Sequence, residues 1–410
     1  MLATLGQRDF GLLWFGGLIS YTGNWATIAA LPFFVFERTG SAFASGAVLT
    51  SMFAPLLFSS VAGVFVDRWD RKRTLAASNL VSAGAALSML LAGSGGFLWV
   101  VYAAVFAISS AGLFAFSAEN ALLPGLVGRD RLMAANSLNS LNDNLARVAG
   151  PAIGGGLVAY AGLAGVVVFD ALSFLIAAGL ISLIRSDTRP GRGREGAGVA
   201  ETQSPLLVVW RECLAGLRLV TGRRVISILF FVVAVAMLAD SILSALLAPF
   251  VGDVLNAESS VFGLILTLRG VGGIAGGVVA GYASGWMRPE RMLGWSLALI
   301  GLIMLVYVNV PLLPLVLAPA AAMGVVAVCW LASQQTILQT NVEDDYLGRA
   351  FGAFATANAL TLLLGTLSAG ALAALAGIVP LLNSSAILYP GAGLLALFLL
   401  TPGKGRKTAD

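Results

Sequence analysis

The sequence has no histidine, only two cysteines, and charge on just 11% of its 410 residues. Without histidine, the commonest metal ligand and the commonest general base are both missing. Cys213 falls in a polar connection and Cys329 in a late apolar run, so neither a disulfide nor a thiolate metal cluster is expected. A phosphate-binding P-loop is also missing, which argues against direct use of ATP. Polar surface is what the chain lacks most. With 58% hydrophobic residues and a mean hydropathy of +0.91, it has too little to cover a soluble globule, so lipid must solvate most of it. The alternating pattern of a membrane barrel is absent as well. The spans must therefore be helices, whose backbone groups pair internally.

Runs of about 20 apolar residues are long enough to cross a hydrocarbon core of about 30 Å. Twelve such runs are present, at 10–36, 43–66, 74–91, 97–117, 138–161, 163–184, 225–251, 259–284, 292–308, 313–338, 347–375 and 381–400. Residues 1–9 are short and polar, and the run after them is too long for a signal-peptide core, so it reads as the first span. The net charge of +4 is not a nucleic-acid footprint. Of 24 Lys and Arg, Arg38 alone falls on the outer side and Arg147 and Arg269 fall within spans; the other 21 lie in alternate, inward loops. That bias places both termini in the cytoplasm, as expected of an inner-membrane protein.

The one long connection divides the chain into two sets of six spans: a bundle over 1–184, a cytoplasmic linker over 185–224, a second bundle over 225–402 and a tail over 403–410. Residues 186–205 are rich in Gly, Arg, Pro and Ser and read as flexible. Within 206–220, Leu206, Val209, Trp210, Leu214 and Leu217 share one face that excludes Arg211, Glu212 and Arg218, which suggests a helix lying on the membrane surface. The halves echo each other. Leu31-Pro32-Phe33 recurs as Ala248-Pro249-Phe250, Gly63 as Gly281, and Gly150-Pro151-Ala152-Ile153-Gly154-Gly155 more faintly as Gly365-Thr366-Leu367-Ser368-Ala369-Gly370, all at nearly the same offset. The fold class is thus an all-α membrane protein with twelve transmembrane helices in two pseudo-symmetric six-helix bundles, an arrangement that places a substrate site between repeats near the midplane.

Between spans 2 and 3 stands Gly63-Val64-Phe65-Val66-Asp67-Arg68-Trp69-Asp70-Arg71-Lys72-Arg73. In Gly63, Asp67, Arg68, Arg71, Lys72 and Arg73 it resembles the signature loop of the major facilitator superfamily, with Asp70 where the general pattern has Gly. That Asp, together with Ala135-Asn136-Ser137-Leu138, Gly150-Pro151-x-x-Gly154-Gly155 and Asp170-Ala171-x-Ser173-Phe174, is similar to the macrolide-efflux and enterobactin-exporter branch. The resemblance spans essentially the whole chain. It implies a cytoplasmic gate in which Asp67 lies near the start of helix 11, around 346–348, and Arg71 bridges Asp67 to Glu119. It also implies an antiporter-type bend in helix 5, where Pro151 removes a hydrogen bond and Gly150, Gly154 and Gly155 let a neighbour approach. Two departures are Ala146, where an upstream Gly is expected, and a fourth span (97–117) without charge, where many antiporters carry Arg.

Charges inside spans are costly and tend to be functional. Asn139, Asp143 and Arg147 recur every four residues on one stripe, where Asp143 and Arg147 either satisfy each other or serve gating and coupling. Asp240 and Arg269 each lie about 15 Å below the outer surface by helical rise, close enough in depth to pair. An unpaired carboxylate among apolar neighbours holds its proton more tightly, as proton coupling requires. Asp143, Asp240 and Asp170 are the candidates in that order, with Asp170 read as mainly structural and Glu37 as a weaker fourth. Asn24, Gln334, Gln335 and Asn358 are expected to line a cavity or to join helices, and Trp25, Phe114, Trp330 and Phe354 to wall it or to face lipid. Gly270-Val271-Gly272-Gly273-Ile274-Ala275 has the form of a dinucleotide fingerprint, but it lies inside a span and reads as helix packing.

What the resemblance and the charges imply together is a secondary transporter, not an enzyme. It would export amphipathic small molecules, of drug, macrolide or siderophore-like type, by alternating access in exchange for protons. The proton gradient would be the energy source, with no cofactor or metal, and the partners would be substrate, protons and the bilayer, the protein acting as a monomer. Two alternatives stand beside it: a facilitator of the same fold for an endogenous metabolite or lipid, and a non-transporting membrane sensor.

Overall fold

The computed structural model describes residues 2–58, 65–66, 69–95, 97–186, 224–310, 312–342 and 344–400, and among them every regular element is helical. After one turn at Leu2–Leu5, helix α1 runs from Arg8–Thr39, α2 over Ala42–Phe53, α3 over Arg71–Ser88 and α4 over Leu98–Val127. The 51-residue element Leu132–Ser182 is two helices, α5 (132–161) and α6 (163–182), because Gly162 turns the chain at φ 63°. The second half supplies α7 (Arg224–Pro249), α8 (Ser259–Ala283), α9 (Pro289–Asn309), α10 (Leu313–Asn341), α11 (Asp344–Ala376) and α12 (Ile378–Leu399). Ten of these elements are long and apolar enough to cross a membrane; counting Leu132–Ser182 as two and adding the shorter Ala42–Phe58 gives twelve.

Local chemistry sets the ends. Gly40 closes α1 in the left-handed region at φ 62°, its N–H reaching back to the Phe36 carbonyl at 2.7 Å. Asp70 starts α3 as its N-cap, the carboxylate accepting from the Arg73 N–H at 2.9 Å. The Asp that replaces Gly in the signature loop therefore has a structural task. Several expected boundaries are corrected, among them the end of α4, which runs to Val127 and not to 117. Helix α2 tightens into a 3-10 turn at Ala54–Phe58, where Pro55 lacks an N–H to continue the α-helix, and 59–64 lie outside the described residues. Helix α3 starts at Arg71 and α5 at Leu132, each a few residues before the apolar run it carries. The surface helix expected at 206–220 and the tail at 403–410 lie outside the described residues.

Two compact units emerge. One comprises Met1–Gly40, Ala47–Val209 and Ala257–Thr267, the other Ser41–Gly46, Trp210–Asn256 and Leu268–Asp410. In the first, α1 packs along α5 and α6 in the most extensive helix contact among the described residues, and α3 packs on α4 and on the α5–α6 element. In the second, α7 lies against α11 and α12, and α9 against α10 and α12. Helix α7 is buried along nearly its whole length, from Ile226 through Val232, Ala236 and Leu243 to Leu246. Meanwhile Trp99, Val278, Leu375 and Phe398 stand exposed on outer faces. Apolar residues both inside and outside are what a lipid-solvated bundle requires, and its cohesion comes from close packing. Gly272 and Gly276 show this: a Cβ on either would strike the backbone of Ala321 or Val325 on α10. Gly272 of the apparent fingerprint, with Gly276 one turn on, is thus a helix contact, as expected.

Candidate functional site

A cavity of about 890 Å³ opens within the first unit, walled by α1 to α6. Helix α1 presents Gly17, Tyr21, Asn24 and Ile28 to it, a spacing of four, three and four that keeps one face inward. Its walls are largely apolar, with Leu49, Phe53, Leu113, Phe116 and Phe174 among them; most of its polar groups come from α1, α4 and α5, and Ser78, Asn79 and Ser82 from α3. The volume is that of a site for a drug-sized ligand.

At that meeting point Glu119 on α4 accepts from the Tyr21 hydroxyl at 2.6 Å and from the Asn139 amide at 3.0 Å. This corrects the expected bridge from Arg71. The Arg71 guanidinium instead donates to the Ala121 carbonyl at 2.9 Å, and Lys72 donates to the Ile184 carbonyl at 2.7 Å. Both basic side chains thus tie α3 to neighbouring helices within the first unit, Lys72 at the negative end of α6. The Arg73 side chain is exposed. Gly63, Asp67 and Arg68, and with them the latch toward helix 11, lie outside the described residues.

Along α5, Asp143 and Arg147 form the expected i,i+4 pair at 3.2 Å, both side chains about half exposed. Arg147 also lies 4.7 Å above the Trp25 ring, a cation–π contact that adds to the pair. Asp143 lines the cavity whereas Trp25 does not; one step along α1, Asn24 does. Behind this face α1 and α5 touch through glycine. A Cβ on Gly150 would stand 2.9 Å from the Thr22 carbonyl and collide with Trp25, and one on Gly154 would collide with Ala26. Gly155 turns to another neighbour, its would-be Cβ 3.1 Å from the Ser259 carbonyl in the segment Ala257–Thr267 of the same unit. Pro151 sits inside the helix between them.

Asp170 is wholly buried between α6 and α1, accepting from Thr27 at 2.7 Å, while the Ser173 hydroxyl donates to its backbone carbonyl at 2.7 Å. Gly23 closes over it, since a Cβ there would meet the carboxylate and Ser173.

In the second unit, Asp240 and Arg269 come within 3.9 Å, and the Tyr389 hydroxyl donates to the same Asp240 oxygen at 3.0 Å. The pairing expected from their positions along α7 and α8 is thus present. Asp240→Asn strands the Arg269 charge in a span and is expected to cost about 1–2 kcal/mol, less than in a sealed pair because each side chain keeps about a quarter of its exposure. Asp240→Asn combined with Arg269→Gln should recover part of that loss, read as melting temperature in detergent. Gln334 is buried with an unpartnered amide oxygen, Gln335 is exposed and Asn358 is half-buried. Trp330 meets Tyr389 edge-on, Phe354 meets Phe230 edge-on and Phe114 stacks on Trp69. Glu37 is exposed. Sequence reasoning missed Tyr21, although its place on the Gly17–Asn24–Ile28 face is a usable signal, and it missed Tyr389, which carries none.

Comparisons with known proteins agree with this architecture. The family model described as transmembrane secretion effector matches residues 1–407. The chain is 29% identical over 400 residues to the multidrug efflux pump Tap of Mycolicibacterium fortuitum, covering 95% of each chain. To the Tap pump of Mycobacterium tuberculosis it is 28% identical over 406 residues, covering 95% of this chain and 92% of the relative. Among solved structures, the nucleoside transporter NupG superposes with a TM-score of 0.73 at 14% identity, over 95% of this chain and 98% of that one. A bacterial homologue of the iron transporter ferroportin, in an inward-facing state, superposes with a TM-score of 0.69 at 16% identity, over the same shares. The structural likenesses establish the fold, and the family match establishes the class: the chain belongs to the transmembrane secretion effector family of the major facilitator superfamily, multi-pass secondary transporters and not enzymes.

Proposed function

We propose that this protein exports amphipathic small molecules from the cytoplasm by alternating access, in exchange for protons. The observation that carries the reading is the wide cavity of the first unit, apolar over most of its wall with polar side chains from α1, α3, α4 and α5, in a chain similar over 95% of its length to pumps described as multidrug efflux. An amphipathic ligand fits such a wall without a dense set of hydrogen-bond partners. The proposed coupling groups are Asp143 and Asp240. Each faces an arginine, and protonating either carboxylate would loosen that pair. Gly63, Asp67, Arg68 and Arg73 are proposed to close the cytoplasmic side, which is also where both termini are placed by the charge bias.

The test is an efflux panel in a bacterial host deleted for its own pumps. Expression should lower steady-state accumulation of several structurally unrelated amphipathic drugs, and a protonophore should restore it. Unchanged accumulation across the panel would reject export. Asp143→Asn should abolish the protonophore-sensitive component while membrane levels stay normal.

A further inference from the structure

We propose that Glu119 makes this cavity selective for cations: it receives the positively charged head of a monocationic amphiphile whose apolar body lies against Phe53, Phe116 and Phe174. The inference rests on the proposed export of amphipathic molecules and adds the sign of their charge.

Charge balance around the cavity leads to this assignment. Asp143 is matched by Arg147, which is further held over Trp25. The Arg71 guanidinium is directed to the Ala121 carbonyl. Glu119 has only the neutral donors Tyr21 and Asn139, and among the described residues no Lys or Arg stands within ion-pair distance of it. Each of its oxygens takes one hydrogen bond, so each keeps a lone pair. Beside it, the Asn139 side-chain oxygen is a buried acceptor without a partner. The edge formed by α1, α4 and α5 is therefore rich in acceptors and short of positive charge, and the rest of the wall offers rings and aliphatic chains with the neutral side chains Ser78, Asn79, Ser82 and Ser109 among them. A cation supplies the missing charge, and the Tyr21 ring adds a face on which it can rest. A purely structural Glu119 would fix α1 to α5 through the same two hydrogen bonds, but would be indifferent to the charge of what enters.

Purified protein in detergent should bind tetraphenylphosphonium at least about tenfold more tightly than the uncharged triphenylphosphine oxide, a difference one charge contact supplies. In Glu119→Gln that preference should fall to near parity through loss of phosphonium binding, with the uncharged probe bound as before; Glu119→Asp should keep most of it. Equal binding of the two probes by the wild-type protein would overturn the proposal without recourse to any variant, as would an undiminished preference in Glu119→Gln. If uncharged drugs are exported in the panel above while phosphonium is neither bound nor exported, charge selection falls and export stands. If nothing in the panel is exported and neither probe binds, both fall.

Discussion

Gly154→Leu is expected to leave little correctly assembled protein, whereas Gly156→Ala, two residues along the same helix, should be neutral or mildly stabilising. The contrast follows from what each position faces. Gly154 lies where α5 presses on α1, and even a lone Cβ would collide with the Ala26 backbone, which has no flexible end to swing aside. Gly150, one turn earlier, meets Thr22, Trp25 and Ala26. The two glycines form a small-residue contact, and in lipid such close packing replaces the hydrophobic driving force that holds soluble helices together. Gly154→Ala should cost about 1–3 kcal/mol as an overpacked contact; leucine adds three heavy atoms that have nowhere to go. At Gly156 a Cβ meets nothing within 4 Å, so alanine should gain about 0.5–1 kcal/mol of helix preference. Detergent-solubilised yield, size-exclusion profile and melting temperature read the series. Equal behaviour of the two alanine variants would refute the α1–α5 contact.

Asp170→Leu should be nearly as damaging, by about 2–4 kcal/mol, because it strands the buried Thr27 hydroxyl and forces a branched side chain against Gly23. Removing both partners is gentler than removing one. Asp170→Leu combined with Thr27→Val should recover about 1–2 kcal/mol, the cost of the orphaned hydroxyl. Asp170→Asn, which keeps an acceptor for Thr27, should stay close to wild type in both stability and proton-driven transport. A stable Asp170→Asn protein that fails to transport would move the coupling role from Asp143 and Asp240 to Asp170.

These positions also show how far the sequence can be read. Spans are legible because lipid imposes length and composition on them. The Asp143–Arg147 pair is legible because helical spacing dictates it, and Asp240 with Arg269 because helical rise puts each about the same distance from the outer end of its expected span. The glycines at 150 and 154 are legible as a contact, though not which helix they receive. Glu119 was misassigned to Arg71 because a loop motif says nothing of a partner such as Tyr21, 98 residues earlier. Asn24 is open in the sequence between cavity and helix joint, and Trp25 between cavity wall and lipid; adjacent helical residues point about 100° apart, so Asn24 lines the cavity while Trp25 lies under Arg147. Gln334 and Gln335 divide for the same reason. The starts of α3 and α5 are hidden because they interrupt no apolar run, Asp70 capping the first, whereas the break at Gly162 is legible between the runs 138–161 and 163–184.

Flux in proteoliposomes tests the account's central claim most directly. With the membrane potential clamped by valinomycin and equal potassium, vesicles made acidic inside should accumulate a panel drug through inside-out molecules. The uptake should vanish when nigericin collapses the gradient, and Asp143→Asn should abolish it. Proton-coupled export predicts that dependence. Flux of the same rate with and without the pH gradient would contradict it.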